Sequence, residues 1–252
     1  MIQARILYHL ARADFLERVR RYSFLVMLGA VVFLGYQAAI GNVSVQLGDY
    51  RGEFNSAWVG SMMAIIASFF LGWFGFYLVK GSLARDHETG VGQIMATTPL
   101  TRPLYTLGKW LSNFAVLIAM VIILVIVGIA IQLFAGESNQ FHFAAFFAPF
   151  LFVALPMLAL TAALAVFFEC IGFLQGGFGN ILYFVLFGVM LSFAISFGKT
   201  NPALDPLGFH ILKGSMGSAA QAAFPDYGGS FVLGSTGTPI IGTFPWSGVD
   251  WT

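Results

Sequence analysis

The sequence predicts an all-α polytopic membrane protein, and three observations predict it. Of its 252 residues 58% are apolar, 28 are Phe and only 9% are charged. That balance is too greasy for a soluble domain of this size. Five apolar runs, 23–40, 58–79, 114–135, 143–168 and 178–197, contain no charge in their interiors. Each is close to the roughly 20 residues that cross a hydrocarbon core of about 30 Å. The charged residues collect between the runs, chiefly in 1–22 and 80–113.

Residues 1–22 form an N-terminal amphipathic segment ahead of the transmembrane domain, 23–197. Ile2, Ile6, Leu10 and Ala13 make one stripe, while Phe15, Leu16 and Val19 fall on another. The phase slips near Ala13, which predicts a bent helix on a leaflet surface with its arginines among headgroups. Five arginines, two acids and no small-residue cleavage site distinguish this segment from a signal peptide. Arg5, Arg12, Arg18, Arg20 and Arg21 precede the first run, and Lys80, Arg85, Arg102 and Lys109 lie between the second and third. By the positive-inside rule the N-terminus and the central loop are expected to be cytoplasmic, in a multi-pass protein of the cell membrane, with 198–252 outside.

The connection 41–57 alternates Val43, Val45 and Leu47 with polar residues, as a short extended loop does. Asn42-Val43-Ser44 has the spacing of a glycosylation sequon but hugs the membrane. Trp58 and Trp110 near run ends read as interfacial anchors. Thr101 before Arg102-Pro103 reads as a cap and first-turn proline that start the helix leading into the third run. Pro149 and Pro156 predict a kinked fourth helix inside the bundle. Gly172 to Gly176 reads as a tight turn or as a helix contact. The lone Cys170 excludes an internal disulfide and reads as an inert buried thiol. Ten Gly and five Pro make 198–252 an external, loop-rich tail.

Several chemistries are missing. No run carries Asp, Glu, Lys, Arg or His in its interior, and Gln132 and Thr161 are the most polar side chains there. Ion-coupled carriers and intramembrane hydrolases place ionisable or nucleophilic groups at that depth. His9, His87, His142 and His210 are scattered. Lys199-Thr200 is not the end of a phosphate-binding loop, because Phe193 stands where the first glycine belongs. No catalytic residue, metal, cofactor or nucleic-acid partner is expected.

The insert 80–113 therefore carries the functional signal. It contains Arg85-Asp86, Glu88-Thr89-Gly90, Val91, Ile94 and Met95 at helical spacing, Thr98-Pro99, Arg102, Tyr105 and Gly108-Lys109. This order, between the second and third spans, resembles the cytoplasmic loop of type-2 ATP-binding-cassette (ABC) transporter permeases, and the resemblance extends over about residues 1–200. It implies a coupling helix that docks on a separate ABC ATPase subunit, in an exporter that pairs with a second permease copy or homologue. Arg85, Asp86, Glu88, Thr89 and Gly90, with Val91, Ile94, Met95, Thr98 and Pro99, are then the expected ATPase contacts. Arg102, Tyr105 and Lys109 are expected to anchor the third span at the headgroups. The family also has a sixth span, so the ending Phe244-Pro245-Trp246 to Trp251-Thr252 is expected to lead into one. A solvated loop that only fixes topology, a non-transporting membrane scaffold, and an enzyme or secondary carrier whose functional residues lie beyond 252 are the alternatives.

Overall fold

The computed structural model describes residues 2–88, 90, 101–138, 140–197, 205, 207–234 and 240–251. Helices α1 (Ile2–Val19) and α2 (Tyr22–Ala39) are followed by strands β1 (Ser44–Gln46) and β2 (Tyr50–Gly52), then α3 (Ser56–Val79), α4 (Ser82–Glu88) and α5 (Arg102–Ala135). Helices α6 (Phe143–Pro149) and α7 (Leu155–Cys170) are joined by a π-helical turn over Phe150–Ala154. Helix α8 (Gly177–Phe197), helix α9 (Phe209–Ala223), β3 (Val232–Gly234) and β4 (Gly242–Phe244) follow. Among the described residues five helical stretches are long and apolar enough to cross a membrane: Tyr22–Ala39, Ser56–Asp86, Arg102–Ala135, Phe143–Cys170 and Gly177–Ser196. The π-helical turn lies between Pro149 and Pro156, where missing backbone donors interrupt the regular ladder.

The chain divides into two compact units. The first comprises Met1–Leu28, Phe70–Met120 and Met157–Val189. Its core is aromatic. Phe76 and Tyr183 stack with ring centroids 3.6 Å apart and planes 4° from parallel, and Phe168 meets Phe76 edge-on. The edge-on contact is of the kind that contributes beyond area burial, whereas Phe76 and Tyr183 lie nearly face to face. The Tyr183 hydroxyl donates to the Gly72 carbonyl, which satisfies the polar end of a fully buried ring. Helix α1 runs unbroken past Ala13, where the apolar stripe changes phase. The chain turns instead at Arg20-Arg21, between α1 and α2. Cys170, expected to be buried, is exposed.

The second unit comprises Gly29–Phe69, Val121–Pro156 and Met190–Thr252. Strand β1 pairs antiparallel with β3, placing Val45 opposite Leu233, while β2 pairs parallel with β4, placing Tyr50 opposite Gly242. The predicted extended loop thus exists, and its partners come from the C-terminal segment. That segment is more ordered than a loop-rich tail. Helix α9 forms despite Gly214 and Gly217, because Leu212, Met216 and Ala220 make one buried stripe at a spacing of four. Asp205 starts it by accepting the backbone N–H groups of Phe209 and His210 at 3.1 and 2.6 Å. Trp58 is not an interfacial anchor: it is fully buried, with Phe244 and Trp246 edge-on against it. Asn55 fixes that corner by accepting the Trp58 N–H, as an N-cap does, and by donating Nδ2 to the Trp246 carbonyl at 2.8 Å.

A bidentate ion pair braces the same unit. Arg51 donates Nη1 and Nη2 to the two Glu137 carboxylate oxygens at 2.9 and 2.6 Å, and Glu137 Oε2 also accepts the Phe54 N–H. The hydrogen bond from Arg51 holds the Glu137 carboxyl below its ordinary range, against an opposing effect of partial burial. A depressed carboxyl stabilises the fold in full above the ordinary glutamate pKa of about 4.3. The contribution fades as pH falls through the lowered folded value. The opening equilibrium of the Phe54 amide, from hydrogen exchange corrected for intrinsic rate, should therefore stay flat from neutral pH to that range and rise in stronger acid. Glu137→Gln should open it already at neutral pH and abolish the acid step.

Candidate functional site

The polar residues of the first unit converge on Lys109. This residue stands on the N-terminal part of α5, where Tyr105 precedes it by one turn, and its side chain is 1% exposed. The ammonium lies 2.7 Å from Asp14 Oδ2 on α1 and 2.5 Å from Asp86 Oδ2 on α4. Tyr105 donates its hydroxyl to the same Asp86 oxygen at 2.6 Å, and its ring sits 5.3 Å from the ammonium. A desolvated charge without partners would cost several kcal/mol. Two carboxylates facing one ammonium leave an excess negative charge, and the buried Arg18 guanidinium beside Asp14 offsets it. Burial lowers the Arg18 pKa, and the Asp14 charge opposes that effect.

Local sequence explains why these groups can meet. Asp14 and Arg18 are one turn apart on α1 and share a face. Gly108 lets α5 close on α1: a Cβ there would stand 2.5 Å from Leu10 Cδ2. Arg18 then reaches the end of α3, donating Nη1 to the Val79 carbonyl at 2.9 Å, one of the orphan acceptors of a helix C-terminus.

A second buried carboxylate holds the other end of α4. Glu169, at the end of α7 and 2% exposed, accepts the N–H groups of Gly81 and Leu83 at 2.6 and 2.5 Å and the Ser82 hydroxyl at 3.4 Å. Helix α4 is thus tied at its start to α7 and near its end to α1 and α5. Gly90, with φ of +71°, takes the left-handed conformation just beyond it. Lys80 closes the layer by donating Nζ to the Leu174 carbonyl at 2.9 Å and to Asn180 Oδ1 at 2.8 Å, which secures the turn into α8.

The expected site residues separate into three groups. Arg85 and Asp86 are on α4, but Asp86 is turned inward onto Lys109 rather than toward a partner, and Arg85 pairs with Glu17 at 3.0 Å. Glu88 ends α4, whereas Thr89, Val91, Ile94, Met95, Thr98 and Pro99 lie outside the described residues. Of the three expected headgroup anchors, Arg102 is exposed at the start of α5. Lys109 and Tyr105 instead direct their polar atoms to carboxylates within the protein. Sequence reasoning missed Asp14, Arg18 and Glu169. The spacing of Asp14, Arg18 and Arg21, and a carboxylate abutting the apolar run AVFFEC, were the available signals.

The chemistry of this layer is mechanical. It joins α1, α3, α4, α5, α7 and α8 through charged groups, several of which cannot separate without exposing a buried ion. Lys109→Met should lower unfolding stability by about 3–5 kcal/mol, because it strands two carboxylates. Adding Asp14→Asn and Asp86→Asn to it should recover most of that loss, as read from denaturant unfolding midpoints. Full stability in the single variant would show that the triad is not buried as described.

No curated protein and no solved structure matches the chain. A family model, described as ABC-2 family transporter protein, matches residues 8–204, which takes in the charged layer and the five apolar helices. That family and those helices make the chain a multi-pass membrane protein and a permease component of the ABC type. The protein belongs to the ABC-2 family of transporters.

Proposed function

We propose that this chain is the membrane subunit of an ATP-driven exporter, in which a separate ABC ATPase docks on 80–113 and drives the attached helices. The observation that carries the reading is the double locking of α4. A segment held by Glu169 at one end and by Asp86 on Lys109 near the other moves as one piece with α1, α5 and α7. Lys109, to which α4 is locked, stands on α5, a single helix of 34 residues. A power source outside the chain suits spans whose interiors hold no ionisable group.

In this reading the arginine-rich N-terminus and the 80–113 segment face the cytoplasm, and α9 with the two strand pairs faces outward. Arg85 and Glu88 offer charge-assisted contacts to the ATPase, and Val91, Ile94 and Met95 supply the apolar anchor. Thr89, Gly90, Thr98 and Pro99 shape the contact, and Arg102 remains with the headgroups. A second copy or homologue completes the transport pathway across the bilayer, and substrate movement follows closure of the paired ATPase subunits.

Two measurements test it. Replacing Val91, Ile94 and Met95 together by alanine should weaken binding of the ATPase by about tenfold or more, at 1.4 kcal/mol per factor of ten. In co-reconstituted vesicles Glu169→Ala should lower substrate-stimulated turnover while leaving ATPase binding in place. Unchanged binding in the triple variant and unchanged turnover in the other would sink the proposal. Orientation is checked with Arg102→Cys in a Cys170→Ser background: a membrane-impermeant thiol reagent should label it from the cytosolic side, and labelling from outside would reverse the topology.

A further inference from the structure

We propose that the second unit contains a binding cavity for an uncharged apolar molecule, either a bicyclic ring or a short alkyl segment. The cavity has a volume of 280 Å³. Three of its walls come from different parts of the unit. Helix α3 contributes Ile65, Ser68 and Phe69, which share one face at spacings of three and four. Helix α8 contributes Leu191 and Ile195, again one turn apart, and Phe231 enters from the C-terminal segment.

The third wall is set by the fold rather than by a loose loop. Leu233 also lines the cavity, and its register opposite Val45 is fixed by the β1–β3 pairing. Phe231 is in turn held edge-on by Phe209, with ring centroids 4.8 Å apart. A cavity with such walls does not collapse by a side-chain rotation alone.

Its chemistry selects the occupant. The cavity opens to the surface of the unit beside Ile195, which is 53% exposed, so an occupant can enter from outside. Among the described residues its lining carries no charged side chain, which favours an uncharged occupant. Water needs two to four polar partners to stay in such a place, and Ser68 is the one polar side chain in the lining. That serine is 2% exposed and its hydroxyl oxygen is sealed from the space, so the surface an occupant meets is apolar. An apolar cavity of about 150 Å³ suffices for benzene; this one has room for nearly twice that. The same chemistry is offered by the acyl chain of a bilayer lipid and by a free apolar small molecule. The inference stands on this unit alone and does not require ATP coupling.

Saturable labelling tests it. The full chain, purified in lipid nanodiscs, is irradiated with a phenyl diazirine in the presence or absence of excess naphthalene, and labelled peptides are identified by mass spectrometry. Labelling of the peptides carrying Ile65 to Phe69 and Leu191 to Ile195 should be competed by naphthalene, whereas labelling at the exposed Phe134 should not. Ser68→Leu and Leu233→Phe, which fill the space, should each reduce the competed fraction about tenfold without lowering the unfolding midpoint. Solvent extraction separates the two sources: a lipid retained by the wild-type chain and lost from Ser68→Leu identifies an acyl chain, and competed labelling without a retained lipid identifies a free small molecule. Finding neither competed labelling nor a lipid sensitive to the filling variants overturns the proposal.

Discussion

The ammonium of Lys109 between Asp14 and Asp86 is the constraint on which the first unit depends. Three segments far apart in sequence supply the three groups, and none can leave without stranding a charge in a desolvated place. The triad therefore specifies position more than it adds stability. An apolar contact among α1, α4 and α5 would tolerate sliding by a fraction of a turn, but an ion triad with a tyrosine hydroxyl on one oxygen tolerates one arrangement. Glu169 applies the same logic to the start of α4, where three donors converge on one carboxylate. A short helix that could not persist alone in water is held by its ends.

The second unit reaches definition by a different route. Its strands are only three residues long and would not hold as isolated hairpins. Strands β2 and β4 are fixed by large aromatic groups instead: Trp58 lies against Phe244 and Trp246, and Tyr50 is stacked on Phe224 at 4.0 Å. Polar contacts such as Trp246 Nε1 to Ser215 Oγ then tie α9 to the same corner. The two units thus illustrate two ways of making a small assembly of helix ends unique, one through buried charge and one through aromatic shape.

Apolar run length made the membrane-crossing helices legible, since length and hydropathy alone decide that question. The interruption near Pro149 and Pro156 and the extended character around Val45 were legible for equally local reasons. What escaped were relations between distant residues. Lys109 in a polar insert looks like any surface lysine, because its enclosure comes from Asp14 and Asp86 rather than from its neighbours in sequence. Trp58 looks interfacial by position, yet the side chains that cover it come from residues 244 and 246. Helix α9 was hidden by glycine content, although Leu212, Met216 and Ala220 carry a helical period that a composition count averages away. Glu169 abuts an apolar run in the sequence, but the donors that converge on it come from residues 81–83.

The pairing of β1 with β3 and of β2 with β4 has a consequence for biogenesis. Ser44 waits for Gly234 and Gly52 waits for Phe244, so the early loop emerges from the ribosome long before its partners exist. Until then its backbone donors and the Trp58 face have no cover, and closing so wide a loop is slow. The nascent chain would pass through a stage at which its helices are threaded while one end stays unfinished, a stage at which a chaperone or quality-control protease could recognise it.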